Sequence, residues 1–168
     1  MSEKAEITEA TEKEINFTEL NTLAEIKDSK GKILSVDFGD VRTGLAVSDA
    51  SRLLASGIGY ISVGGIEKTA EAIAESAREN GAVAVIVGLP VNMDGSQGSR
   101  AERCKKLARL VKEASGLLVS TFDERMTTMT AARYLNETNT RGKKRKGVID
   151  TLSAQIILQN CLDRLKNL

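Results

Sequence analysis

The run AVAVIVG, residues 82–88, constrains this chain more than any other stretch. Its apolar and β-branched residues do not alternate with polar ones, so a strand made from them has no face to give to water. Such a strand has to lie inside a sheet covered on both sides, which requires helices above and below it. The neighbouring sequence supplies one. IEKTAEAIAESARE, residues 66–79, carries Ile66, Ala70, Ile73, Ala74 and Ala77 on one helical face, and Asn80-Gly81 ends it.

The other elements follow from the same patterns. KILSVDF (32–38) and TGLAVSDA (43–50) read as strands joined by the tight Gly39-Asp40-Val41-Arg42 connection, an antiparallel hairpin. IGYISV (58–63) predicts a third strand. A polar loop, LPVNMDGSQGS, leads into a helix over 100–115 that a capping box of Ser99 and Glu102 would open. LLVSTF (117–122) predicts a fifth strand, and two more helices are expected over 127–137 and 148–166, with a basic loop between them. The order β-β-β-α-β-α-β-α-α predicts an α/β fold. Its mixed five-stranded sheet has three antiparallel strands, then parallel βαβ units with right-handed crossovers, and is flanked by helices.

A chain of 168 residues fits one domain, here 31–168, behind an extension of residues 1–30. The first dozen residues are charged and poor in apolar side chains, so disorder is expected there. INFTELNTLAEI offers Phe17, Leu20 and Ala24 at helical spacing for a short helix lying on the domain. No secretory pattern opens the chain, and no apolar run approaches the roughly 20 residues that span a bilayer. Cys104 and Cys161 lack metal-type spacing and read as reduced thiols. A cytoplasmic protein is expected, without membrane contact and without zinc.

The formal net charge of +1 conceals an asymmetry, since residues 1–30 hold eight acids against four bases. Five bases crowd into RGKKRK, residues 141–146, among them Lys143, Lys144, Arg145 and Lys146. The chain contains no histidine, which excludes imidazole acid–base catalysis and His-ligated metal sites.

In such sheets the functional crevice lies at the carboxyl ends of the parallel strands. Asp37 ends the first strand there, Asp123 and Glu124 end the fifth, and the loop after the fourth brings Asn92 and Asp94. Asp150, in the first turn of the last helix, shares a face with Ala154, Ile157 and Cys161 and would point to the same rim. Acids gathered without histidine or thiolate suit a hard divalent cation, Mg²⁺ or Mn²⁺. Each acid also has a plainer reading. Asp37 could bind the turn backbone, Asp150 could answer the helix dipole, and Asp123 or Arg125 could form a structural ion pair. Arg42 on the hairpin tip and Arg100 at the third helix are candidate substrate contacts, as is the basic run, each with a solvated alternative. The few aromatics are scattered, so recognition of backbone and shape is expected rather than a stacking platform.

The segments SVDFGDVRTGLAVSD, IVGLPVNMDGSQGSRAERCKKLARL, TFDERMTTMTAARYL and KGVIDTLSAQIILQNCL resemble, in order and spacing, the YqgF/RuvX family. The resemblance spans residues 32 to about 165. It implies an RNase H-like fold related to RuvC-type junction resolvases, and metal-dependent cleavage of structured nucleic acid. Members are generally described as nucleases acting at the 5′ end of pre-16S rRNA, and were previously described as Holliday junction resolvases. Carried over by motif, Asp37, Glu124 and Asp150 would be the catalytic, metal-holding acids. On their own positions and charge, Arg42, Asn92, Arg100, Arg125, Lys143, Lys144, Arg145 and Lys146 are the expected substrate contacts. The implied partner is structured RNA, possibly within a pre-ribosomal particle, for a monomer or homodimer. A DNA junction is the alternative substrate, and a non-catalytic RNA-binding module the alternative class. A sugar-kinase or actin-type ATPase, whose phosphate loop resembles DFGDVRTG, would need a second domain that this length does not hold.

Overall fold

The computed structural model describes residues 19–126 and 143–168, with side chains at 19–125 and 151–168. The helix expected over 127–137, the first residues of the extension, Phe17, Tyr134 and Arg141 lie outside the described residues. Strands β1 (Lys32–Phe38), β2 (Thr43–Ser48), β3 (Ala55–Ile61), β4 (Ala82–Leu89) and β5 (Leu118–Asp123) form one sheet in the order β3-β2-β1-β4-β5. β1 pairs antiparallel with β2, and β2 with β3, while β1–β4 and β4–β5 are parallel.

Helices α1 (Leu23–Asp28), α2 (Ile66–Glu79), α3 (Ser99–Ser115) and α4 (Lys143–Lys166) surround it. α2 and α3 cover one face through a core of Val36, Val85, Val87, Ile73, Leu107 and Val111. α4 covers the other through Ile33, Ala84, Ile86, Ile157, Leu158 and Leu162. Consecutive residues of β4 thus enter opposite cores, the burial its unbroken apolar run demands.

Four expectations need correction. β3 begins three residues earlier than the apolar run suggests. Its backbone is held from α4, where Gln159 Oε1 accepts the Ala55 amide (3.0 Å), Gln155 Nε2 donates to Ala55 O (3.1 Å) and Thr151 Oγ1 donates to Gly59 O (3.1 Å). Ile58 is an extra residue there, because Leu45 pairs with Gly59 and Ala46 with Gly57. A side chain at Gly57 would run into Thr151.

The capping box at α3 does not form. Ser99 is already helical, Gly98 caps without a side chain, and the Glu102 carboxylate takes Lys105 Nζ (3.4 Å). A true capping box joins Thr22 and Glu25 at the start of α1. That helix starts later than the Phe17–Ala24 spacing indicated. Finally, α4 starts at Lys143 rather than 148, so residues 143–146 are helix and not loop. Lysine and arginine are good helix formers, and the cost of Gly147 is only about 1 kcal/mol.

Residues 21–29 are tied into the body. Asn21 extends the β5 edge, its amide donating to Val119 O (2.7 Å) and its Oδ1 accepting the Val119 amide (3.0 Å). Ile26 is fully buried among α4 residues, and Arg52 holds the turn after α1.

Candidate active site

The parallel strands all end at one rim. Asp37 is the penultimate residue of β1, half-buried, and lies on the face that also carries Ser35 and Ile33. The hairpin beyond it closes through backbone, with the Gly39 amide donating to Arg42 O (3.0 Å). A side chain at Gly39 would strike that same carbonyl, so the turn requires glycine.

Glu124 opens a 3-10 turn (Glu124–Met126) directly after β5. Its carboxylate stands over Gly88 of β4, where a Cβ would lie 2.5 Å from Oε1 and 2.7 Å from Ile157 Cδ1. Gly88 follows the Val36–Val87 pair in register, so the strand beside it presents Asp37. Asp37 on β1 and the Glu124 carboxylate, seated over the adjacent β4, therefore share one sheet face. Glycine at 88 makes the space.

The two acids of DER separate by their surroundings. Arg125 grips Asp123, with Nη2 at 2.6 Å, Nε at 2.8 Å and its amide at 2.9 Å. The Arg125 hydrogen bonds hold the Asp123 carboxyl below its ordinary value. Burial pushes the Glu124 carboxyl up, against the pull of Arg100 and with a further push from Asp123. Asp123 is thus engaged in a structural ion pair, and Glu124 is the acid turned over the sheet.

α4 runs from the rim towards the base of the sheet, since Thr151 meets Gly59 while Gln159 meets Leu53 and Ala55. Ser35 Oγ donates to Ala154 O (2.6 Å). Asp150 lies one turn rimward of Ala154 and Asp37 two residues rimward of Ser35, displacements of about 5–7 Å in the same direction. The backbone at 150 is therefore level with Asp37. Because α4 begins at Lys143, Asp150 stands two turns in, beyond the first turn where a helix dipole favours acids. The side chains of Asp150, Lys143, Lys144, Arg145 and Lys146 lie outside the described residues.

Arginines frame the acids on the other side. Arg103 places its guanidinium 5.2 Å from the centre of the Phe38 ring and its Nη1 3.1 Å from Asp40 Oδ1, tying the hairpin to α3. Arg100 is exposed one turn earlier. Sequence reasoning passed over both Arg103 and Gly88, whose roles depend on partners far away in the chain. In the loop before α3, Asn92 Nδ2 donates to Ser96 Oγ (3.0 Å), and Asp94 Oδ1 accepts from Ser96 N (2.9 Å) and Oγ (2.6 Å). These groups are engaged within the loop itself. Arg42 lies over the Tyr60 ring on the far side of the hairpin. Cys104 is buried beneath the rim, and burial, with Glu124 and Asp37 adding, pushes its thiol up to about 12. It stays protonated and offers no thiolate. Among the described residues no three Asp, Glu, His or Cys side chains gather closely enough to hold a metal ion.

A family model described as "RuvX: Holliday junction resolvase" matches residues 31–164. The chain belongs to the RuvX family. One relative of this RuvX protein, from Ruminiclostridium cellulolyticum, is 36% identical over 135 residues, covering 80% of this chain and 95% of its own; its name is "Putative pre-16S rRNA nuclease". A relative of the same name from Pelotomaculum thermopropionicum is 41% identical over 133 residues, covering 79% and 86%. T. thermophilus RuvC, solved in complex with a Holliday junction substrate, aligns with a TM-score of 0.53 at 12% identity, covering 81% of this chain and 96% of its own. That likeness is one of fold: this RuvX chain has the RuvC-like, RNase H-like architecture. No helix among the described residues is long and apolar enough to cross a membrane.

Proposed function

We propose that this RuvX chain is a divalent-metal-dependent endonuclease that trims the 5′ end of precursor 16S rRNA in the cytoplasm. The observation that carries the reading is the seat of Glu124 over Gly88, on the same sheet face as Asp37 and the neighbouring strand.

The donor set fits Mg²⁺ or Mn²⁺. It consists of carboxylates, has no imidazole, and the nearby Cys104 thiol is held protonated. A missing Cβ at Gly88 leaves the Glu124 carboxylate its place. Asp37 and Glu124 would hold the cation, with Asp150 as the third ligand; when bound, it lowers the pKa of water and offsets charge on a phosphodiester. Two carboxylates packed on one face, one of them raised by burial, favour a positive charge between them.

The chain's own residues do the rest. Asp37 is oriented by β1 and Glu124 by the turn after β5, with Ile157 packed behind it. Arg100, whose charge acts on Glu124, and Arg125 would meet a phosphate backbone, and Arg103 braces the hairpin against α3. The helical start of α4 carries Lys143, Lys144, Arg145 and Lys146, a run of charge that supports a strongly salt-dependent hold on a polyanion. Cleavage of a DNA junction is the same chemistry on another substrate, and resolution of a junction would require a dimer with paired sites.

The test is direct. Purified protein and Asp37→Asn are incubated with an end-labelled precursor rRNA fragment and a four-way DNA junction, with Mn²⁺ or EDTA. Metal-dependent cutting of the RNA alone, lost in the variant, supports the proposal. Cutting of the junction alone transfers the reading to a resolvase. Binding without cutting of either leaves an RNA-binding module.

A further inference from the structure

Tyr60 stands out among the three aromatic residues that are described. Phe38 and Phe122 are core residues, but Tyr60 is 51% exposed. Its place is specific. Asp37 pairs with Gly44, and Gly44 pairs with Tyr60, so the three form one row across β1, β2 and β3. Directly paired residues share a face, which puts Tyr60 on the side of the sheet that bears Asp37. Two strand spacings separate them, about 10 Å. α4 shields this face nearer its base, with Thr151 bound at Gly59, yet leaves Tyr60 half open.

Tyr60 also has a cation. The Arg42 guanidinium lies 5.6 Å from the ring centre, and among the described residues Arg42 makes no ion pair. Val41 beside it is 72% exposed. An aromatic ring with an adjoining cation is the pairing that holds an unstacked base and its phosphate in single-strand binders.

We propose that Arg42 and Tyr60 form a seat for one unpaired nucleotide of the substrate strand, next to the phosphodiester that Asp37 addresses. The base stacks on the exposed part of the Tyr60 ring and the phosphate meets Arg42. One ring seats one base, so the surface distinguishes a strand that leaves a duplex at the site from one that stays paired. This rests on the nuclease reading for its meaning, though not for its binding. It assigns the hairpin side of the rim a role in choosing where a folded RNA is engaged.

Binding is measured by fluorescence anisotropy in EDTA, using an RNA hairpin with a single-stranded tail and the same hairpin with a blunt end. Wild type should prefer the tailed form. Tyr60→Ala should lower affinity for the tailed form by about 5- to 100-fold and leave the blunt form unchanged. Tyr60→Phe should behave as wild type, which separates stacking from the hydroxyl and shows that the position tolerates change. Arg42→Gln should make the salt dependence shallower by about one phosphate contact, whereas Tyr60→Ala should not. An unchanged tailed-to-blunt ratio in Tyr60→Ala overturns the seat. So does an equal loss on both RNAs. Cleavage assayed in parallel with Mn²⁺ separates the two ideas. Asp37-dependent cleavage without any tail preference sinks the seat alone. A Tyr60-dependent tail preference in a protein that cuts nothing upholds the seat and sinks the nuclease reading.

Discussion

The Glu124 carboxylate fills the place a side chain at Gly88 would need, its Oε1 2.5 Å from where that Cβ would stand. A methyl group there has to displace Glu124, Ile157 or both. Gly88→Ala is expected to cost about 1–3 kcal/mol through overpacking. The loss of cleavage should be larger, on the order of 10²-fold, because a displacement near 1 Å misplaces a reacting group. Thermal melting and single-turnover cleavage together check both numbers.

The DER acids should respond differently to neutralisation. Asp123→Asn breaks an ion pair with the part-exposed Arg125, a change of about 0–1 kcal/mol, with cleavage close to wild type. Glu124→Gln should lower cleavage by more than the roughly 10- to 100-fold that loss of a supporting group costs at a metal site. The melting shift that Mn²⁺ produces in wild type should shrink in Glu124→Gln and persist in Asp123→Asn. Equal behaviour of the two variants would return the assignment to Asp123.

Arg52 adopts a positive φ of 59° and spends its guanidinium on the α1 end. Nε donates to Gly31 O (2.7 Å), Nη1 to Ile26 O (2.8 Å) and Nη2 to Ser29 Oγ (2.9 Å). Arg52→Ala leaves those acceptors unmet and should destabilise by about 1–3 kcal/mol. Ile26→Ala, in the fully buried position beside α4, should cost about 2–5 kcal/mol. Chemical denaturation checks both. The second result would show that residues before the family match at 31 stabilise the fold.

Strong acid should loosen the loop after β2. Asp49 Oδ1 accepts the amides of Leu53 (2.8 Å) and Leu54 (2.9 Å), and Ser51 Oγ donates to the same carboxylate. The Leu54 amide is the largest cause lowering its carboxyl from 3.8 to about 2, with Ser51 next. A carboxyl depressed by folding adds stability above its unfolded value, and that stability is lost as pH falls through the folded value. The melting temperature should therefore drop between about pH 4 and pH 2. Asp49→Asn should melt lower at neutral pH and show a flatter decline over that window.

The mixed five-stranded sheet, with its antiparallel strands first and parallel ones after, was legible because each strand depends on local pattern. An unbroken apolar run reports burial on both faces, and the GDVR connection reports a hairpin, whatever else the chain does. Asp37 stood out as an acid at the end of a strand. The boundaries that misled were set by contacts distant in the chain or by a local signal that the fold overrode. β3 reaches back to Ala55 because α4 residues 92 to 104 positions later bind its backbone. Ser99 has the sequence of a cap, yet the helix starts on it.

The amino-acid sequence alone determined that five strands form one mixed sheet flanked by helices, through periods of two and 3.6 that need no partner to read. Tertiary structure decided the rest. It turned Glu124 over Gly88, set Tyr60 in a row with Asp37, and closed the β5 edge with Asn21. Each depends on two residues that meet only when the sheet closes. The free energy of such a contact belongs to the pair, and neither position carries it alone.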